Sequence, residues 1–458
     1  MKRPNILLLY TDQQRWDALA SAGNPHIHTP NLDRLASEGV LFENAFCNCP
    51  VCMPSRQSML SGQYPLSLGC CCNGIEMRPD VPTLATVLKP YGYHTANIGK
   101  LHFLNHSNCD HREPHPSYGF DTMIVSDEPG CYDDAYIAWV TEHDPDAVDA
   151  CRVSSPPACV GARIDKQPRG TQNPYVFEGP EHLTHSAFVA DQTIDFLRAR
   201  REEMFFAIAG FYAPHAPLNP PQRFVDLYDP ASLPSPAMNE GQNHLGLSDE
   251  QWRVIKAYYY ALVSHVDDQV GRILAALDDL GLSDNTIVVF TSDHGEHLGD
   301  HGRVQKGPPG LDSCAHVPLL MRYPGRIDPG RRADKLIEAV DLAPTLVDWC
   351  GVQPPPSFQG RSFRPLLAGR PYEARTSVFI EYRDPFESSW KTVRTRDFKY
   401  CRSNKKEELL FNLAADPNEL TNVAGDAAYG DALNAMREEL LARWFTAERQ
   451  YPRRTAAY

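Results

Sequence analysis

Short, almost unbroken apolar runs recur along the chain, and each is followed at once by polar residues. PNILLLY at 4–10, YHTANI at 93–98, MFFAIAGF at 204–211, TIVVF at 286–290 and VPLLMR at 317–322 have the length of strands buried on both faces. Between them the period changes to three and four. Residues 186–198 read as a helix with Phe188, Ile194 and Phe196 among its apolar positions. Ser248-Asp249-Glu250-Gln251 forms a capping box, and Ile255, Tyr259, Leu262, Val266, Val270, Ile273 and Leu277 carry that helix to about residue 280. Thr29-Pro30 opens a short helix that Gly39 ends, and further helices open near 81 and 340. Strands alternating with helices predict an α/β fold with a large, mostly parallel sheet sandwiched by helices. Gly369-Arg370-Pro371 marks a boundary near 370. Short strands at 377–382, 390–396, 398–401 and 409–412 and a helix at about 427–447 follow it. They predict a small C-terminal α+β subdomain with an antiparallel sheet, giving units 1–370 and 371–458. Residues 103–184 show few helical periods and read as long, irregular loops facing the substrate. His106, His111 and His115 lie there as exposed loop residues.

The polar residues at the strand ends carry the candidate chemistry, because ligands of an open α/β sheet sit at the carboxyl ends of its strands. Asp12 and Gln13 follow the first strand and offer two oxygen ligands to a hard cation; the plainer reading of Asp12 is a helix N-cap. Lys100 and His102 follow the second strand and point to one side if the backbone is still extended; otherwise they are solvated loop residues. His215, between Pro214 and Pro217, follows the third, and Asp293 and His294 follow the fourth. Cys52-Met53-Pro54-Ser55-Arg56 stands apart. Pro54 disfavours helix at Met53, so Ser55 is read as the N-cap of the next helix. A Cys ahead of a helix N-terminus and beside a guanidinium has a lowered pKa and receives anions; the alternative is a structural thiol beside a surface Arg. Asp267 and Asp268, inside the long helix, read as structural.

Composition narrows the partners. A chain of 458 residues suffices for a large core, and its net charge of −14 argues against nucleic acid. The same charge requires a local basic pocket for an anionic substrate, which favours a small or terminal one. The run ILLL at 6–9 meets Asp12 too soon for a signal peptide, and no stretch approaches a membrane span, so the chain as written reads as cytoplasmic and free of the membrane. Thirteen Cys, an odd number, suggest reduced thiols. The Cys47, Cys49, Cys52 and Cys70-Cys71-Cys72 groups lack the paired spacing of a zinc site.

C-x-P-S-R followed by Leu60-Ser61-Gly62 resembles the signature of the type I, formylglycine-dependent sulfatases of the alkaline phosphatase superfamily. The resemblance spans nearly the whole chain. It includes the T-P-N-L-D segment from Thr29 to Phe42, which positions the Cys52 loop, and G-K-x-H at 99–102. It continues through Gly119-Phe120-Asp121, H-x-P at His215, SDHGEHLGDHG from Ser292, Lys306, and a D-P-x-E-x-x-N stretch at 416–422 that ends in Val423 instead of Leu. An Asn near Asn73 often points to the site in this family. The resemblance implies an alkaline-phosphatase-like fold and a sulfuric ester hydrolase. It further implies Cys52 oxidised to formylglycine by a formylglycine-generating or sulfatase-maturating enzyme. Asp12, Gln13, Asp293, His294 and modified Cys52 then surround one divalent cation, with Ca²⁺ ahead of Mn²⁺ or Mg²⁺. Asp293 accepts the proton of the attacking hydroxyl. Arg56 and Lys100 stabilise the hydrate and the sulfate charge, Lys306 or His215 protonates the leaving oxygen, and His102 takes the last proton. The expected substrate is a sulfate monoester, of a carbohydrate or an aryl alcohol.

Two departures keep alternatives open. Many sulfatases carry Asp-Asp and Asp-Asn where this chain has Asp12-Gln13 and Asp293-His294. The related phosphonate monoester hydrolases share such variations, so a phosphonate monoester or phosphodiester substrate stands as the alternative. Lys100-x-His102 looks like the sulfatase version. Family members usually have Arg before V-P-L, where this chain has His316. A catalytically inactive binding homologue is the non-enzyme alternative.

Overall fold

The computed structural model describes residues 3–105, 113–152, 170–384, 386 and 388–448. Its strands in the first part of the chain are β1 (Asn5–Asp12), β2 (Val40–Phe42), β3 (Ala45–Phe46), β4 (His94–Gly99), β5 (Thr122–Val125), β6 (Phe205–Pro214), β7 (Thr286–Ser292), β8 (Leu319–Arg322), β9 (Arg331–Ala333) and β10 (Ile337–Glu338). Eight of them make one sheet in the order β5-β4-β6-β1-β7-β8-β2-β9, and β10 pairs with β3. From β5 to β7 all neighbours are parallel; β8 is antiparallel to both β7 and β2. The sheet is therefore mixed and mostly parallel.

Each face of the sheet has its own core, and β1 shows why. Strand side chains alternate between faces. Leu7 and Leu9 pack toward the long helix Asp249–Asp279 and the helix His185–Ala199, with Phe188, Val266 and Val270. Ile6, Leu8 and Tyr10 pack on the other side with Met59, Leu84 and Leu346, from the helices Cys52–Ser61, Leu84–Leu88 and Leu342–Trp349. Both faces are covered, so the strand has no polar alternation to display. The capping box of the long helix is formed, with Ser248 and Gln251 bonding each other's backbone. Asp267 from this helix accepts the N–H groups of Asn31 and Leu32 and so holds the start of the helix Pro30–Ser37.

The described parts of the 103–184 region hold regular elements that the sequence does not suggest. It supplies the edge strand β5 and the helices Ala135–His143 and Val148–Cys151. Their apolar faces are short, so periodicity over a wide window misses them. Toward the C-terminus, β11 (Val378–Arg383), β12 (Ser389–Arg394), β13 (Phe398–Ser403) and β14 (Glu408–Asn412) form an antiparallel meander. The helix Gly430–Ala447 packs Leu433, Met436 and Leu440 against Phe379, Val393 and Tyr400 of this sheet. Among the described residues no helix is long and apolar enough to cross a membrane. Eleven described cysteines are buried.

Candidate active site

Four strand ends and one helix N-terminus converge at the carboxyl edge of the sheet. β1 ends at Asp12, β7 delivers Asp293, β4 delivers Lys100 and β6 delivers His215. Strands β4 and β6 approach unusually closely here. A Cβ on Gly99 would lie 2.2 Å from the Gly210 carbonyl oxygen, and one on Gly210 would lie 2.3 Å from that of Lys100. Only glycines permit the Lys100 N–H to reach Gly210 at 2.7 Å.

The Cys52 helix starts at Cys52 and not after an N-cap at Ser55 as its sequence predicts. Pro is compatible with the first helical turn, where its missing N–H has no partner to lose, so Pro54 sits inside the helix. Val51 is the N-cap and supplies no side-chain bond; instead Asn73 accepts the Met53 N–H at 3.0 Å. Ser55 is thereby released to donate its hydroxyl to the Asp293 carbonyl at 2.5 Å.

Cys52 Sγ lies 3.1 Å from His294 Nε2, 2.9 Å from Lys306 Nζ and 3.7 Å from Asp12 Oδ1. The predicted lowering of the thiol pKa is not realised. Burial and the Asp12 charge push it up to about 11, against the pull of Lys306 and Lys100. The guanidinium that the sequence sets beside Cys52 is spent on carboxylates. Arg56 Nε donates to Asp293 Oδ2 at 2.7 Å, and Arg56 Nη2 lies 3.4 Å from Asp12 Oδ2, with Tyr10 beneath its plane. Lys100 Nζ stands 2.7 Å from Asp12 Oδ2, over the ring of Tyr212. Burial alone would lower both lysines; Asp12 and Cys52 raise Lys100 and Lys306 above the ordinary ammonium value. Burial likewise opposes ionisation of Asp12, yet Lys100, Lys306 and Arg56 hold it well below the usual carboxylate range.

The remaining donors face one point. Asp12, Cys52, Asp293 and His294 each offer a ligand atom, and these atoms lie within 4.8 Å of one another. His294 Nδ1 donates to the Gly295 carbonyl at 2.8 Å, which leaves the Nε2 lone pair turned inward. Burial keeps this imidazole uncharged by lowering its pKa. Gln13, at φ 69°, is fixed through its N–H to Asp293 Oδ1 (3.0 Å), and its Oε1 meets Lys306 Nζ at 2.8 Å. With the outer carboxylate oxygens taken by Arg56 and Lys100, a buried set of inner oxygens and one imidazole nitrogen fits a divalent cation.

His215 Nδ1 donates to the Ala216 carbonyl at 2.7 Å, and burial with Lys306 holds the ring well below its ordinary pKa. The condition for Lys100 and His102 to share a side fails: β4 ends at Gly99, where φ is +86°, and His102 has φ 56°. Asp127 fixes that bend by accepting the N–H groups of Leu101 and His102, both at 2.7 Å. Nothing in the sequence singles out Asp127, whose partners lie 25 and 26 positions away, or Glu296, whose bond to Gln13 spans 283 positions. His115 bonds the adjacent Pro116 carbonyl; His106 and His111 lie outside the described residues. His316 is stacked between Trp16 (4.3 Å) and Phe46 (4.6 Å) and meets the Glu43 carbonyl at 2.9 Å, so it is a neutral filler where Arg would bring a charge.

The Sulfatase family model matches residues 4–352, and that of the N-sulphoglucosamine sulphohydrolase C-terminal region matches 299–444. An arylsulfatase of Clostridium perfringens (strain 13 / Type A) is 32% identical over 96% of this chain and 94% of its own length. An N-acetylglucosamine-6-O-sulfatase of Bacteroides thetaiotaomicron is 28% identical over 98% of this chain and 87% of its own. Among solved structures, the phosphonate monoester hydrolase of Agrobacterium radiobacter superposes with a TM-score of 0.85 at 27% identity, covering 98% of this chain and 97% of that one.

Proposed function

The chain is an enzyme of the sulfatase family, with an alkaline-phosphatase-like fold, and on that premise we propose that it hydrolyses the sulfate monoester of a small or terminal sulfated carbohydrate to the alcohol and inorganic sulfate. The observation that carries this reading is the position of Cys52, whose Sγ touches both Lys306 and the inward nitrogen of His294 within the cation-binding set. Oxidised to formylglycine, residue 52 would supply a nucleophilic oxygen and a second hydroxyl through which sulfate can leave; Asp12, Gln13, Asp293 and His294 would hold a divalent cation, Ca²⁺ by preference and Mn²⁺ or Mg²⁺ otherwise, which would polarise a sulfate oxygen. Oxidation also removes the difficulty of a thiol held at about 11.

The chain's own residues then divide the work. Asp293 receives the proton of the attacking hydroxyl. Arg56 and Lys100, whose donors rest on Asp293 and Asp12, set positive charge beside the negative charge that develops, and their burial makes each worth more than in water. Lys306 is the group that carries a proton to the leaving alcohol oxygen. His215 is uncharged and already donates its Nδ1–H to Ala216, so its Nε2 offers a lone pair to the alcohol. His102, held at its bend by Asp127, takes the proton of the second hydroxyl.

A phosphonate monoester is the second reading, favoured by the Agrobacterium enzyme's similarity and by the Asp12-Gln13 and Asp293-His294 pairs. One purified batch decides between them: rates on an aryl sulfate, an aryl phosphonate monoester and a panel of sulfated sugars, with mass spectrometry of the Cys52 peptide. Sulfate turnover with Cys52 converted is expected; faster phosphonate turnover would replace the first reading with the second. Cys52→Ala is expected to abolish turnover with the fold retained, and full chelation is expected to silence the enzyme until one divalent ion is returned. Activity that survives either treatment would sink the mechanism.

A further inference from the structure

The amide of Gln13 can meet the cation site in two ways, oxygen inward or nitrogen inward, and a carboxylate outside the ligand set selects between them. Glu296, 1% exposed, uses its two oxygens differently. Oε1 accepts the backbone N–H of Leu298 at 3.1 Å and that of Gln305; both residues have positive φ, 51° and 65°. Oε2 accepts Gln13 Nε2. The nitrogen end of Gln13 is therefore turned away from the site, and Oε1 is left facing Lys306 Nζ. We infer that Glu296 is a positioning residue that holds the Gln13 amide oxygen toward the cation, an inference that rests on the reading of Gln13 as a cation ligand. An Asp at position 13 would need no such partner, since both of its oxygens can ligate. A Gln does need one, because half of its head group is a donor. The same carboxylate, through Gln305, anchors the residue before Lys306.

The donor pattern makes a specific substitution informative. In Glu296→Gln, the two backbone N–H groups keep the amide oxygen at the Oε1 position. The new NH₂ then faces Gln13 Nε2, donor against donor. Gln13 must rotate, and its nitrogen turns toward Lys306 and the cation. The paired exchange Gln13→Glu with Glu296→Gln restores a donor opposite an acceptor, keeps an oxygen toward Lys306 and conserves the total charge of the pair.

The test is calorimetric titration of Mn²⁺ into the chelator-stripped full chain, with circular dichroism of each stripped protein as the fold control. The unaltered protein should bind one Mn²⁺. Glu296→Gln should bind tenfold to a hundredfold more weakly, the usual cost of losing an outer-shell partner. The paired exchange should return to within about threefold of the unaltered protein, a rescue that loss of packing would not produce. Unchanged affinity in Glu296→Gln would overturn the inference and leave the cation reading intact. Should Glu296→Gln fail to fold, the paired exchange decides: binding no better than that of Gln13→Ala overturns it. No Mn²⁺ uptake by the unaltered protein would overturn the cation reading and this inference with it.

Discussion

At the scale of single residues, burial governs which groups hold charge. Cys52, His294 and His215 are pushed toward their neutral forms, while Asp12, Arg56, Lys100 and Lys306 keep their charges through mutual contact. His316 shows the consequence away from the site. Its burial lowers the pKa to about 3, with Asp312 opposing and Arg394 assisting. A depressed folded-state value contributes stability above the unfolded value, near 6.5, and that stability is lost as pH falls from there toward 3. Between pH 6.5 and 5 the loss amounts to about 2 kcal/mol. Gln at this position can still donate to Glu43 and does not titrate. His316→Gln should therefore be the less stable protein at pH 7.5, by about 1 kcal/mol for the lost stack, and by pH 5, where the unaltered protein alone has lost about 2 kcal/mol, the order should reverse by about 1 kcal/mol. Urea midpoints at the two pH values check this; parallel profiles would refute it.

At the scale of elements, the site depends on how closely β4 and β6 run. Hydrophobic runs identify both strands, yet the runs do not show that they are neighbours across two facing glycines. Gly210→Ala should displace Lys100, because the new methyl meets backbone and not a flexible side chain. Overpacking of this kind costs on the order of 1–3 kcal/mol. The shift it forces at Lys100 should cost roughly a hundredfold in turnover. A Gly210→Ala protein that is soluble and fully active would show that the strand spacing has slack.

At the scale of the whole molecule, the C-terminal sheet is coupled to the site through a buried cation. Lys399 on β13 is fully buried and lies 2.5 Å from both Asp312 and Glu419, and 3.1 Å from the Gly310 carbonyl. Thr392 on β12 adds a bond to Pro309. These contacts clamp the segment that leaves Lys306. Lys399→Met strands two carboxylates and should cost about 3–5 kcal/mol. Guanidinium denaturation measures that loss, and turnover should fall with it because Lys306 loses its anchor. Unchanged stability would mean that the carboxylates find other partners.

The chain's sequence determined by itself the alternation of strands and helices, the capped long helix and the residues that end each strand, because these follow from local periodicity and backbone chemistry. It also carried the motif order that relates Cys52 to Asp12, Lys100, His215, Asp293 and Lys306. Local chemistry also misleads: a Pro before Ser55 favours a cap there and an Arg after Cys52 suggests an acidic thiol, and the fold realises neither. Only the tertiary structure decided that Arg56 turns to Asp293, that Asp127 bends the chain at His102, and that Glu296 orients Gln13. Those choices depend on burial and on partners far apart in sequence; Gln13 and Glu296 are separated by 283 positions. Desolvation sets the protonation states, and a linear chain has no inside until it folds.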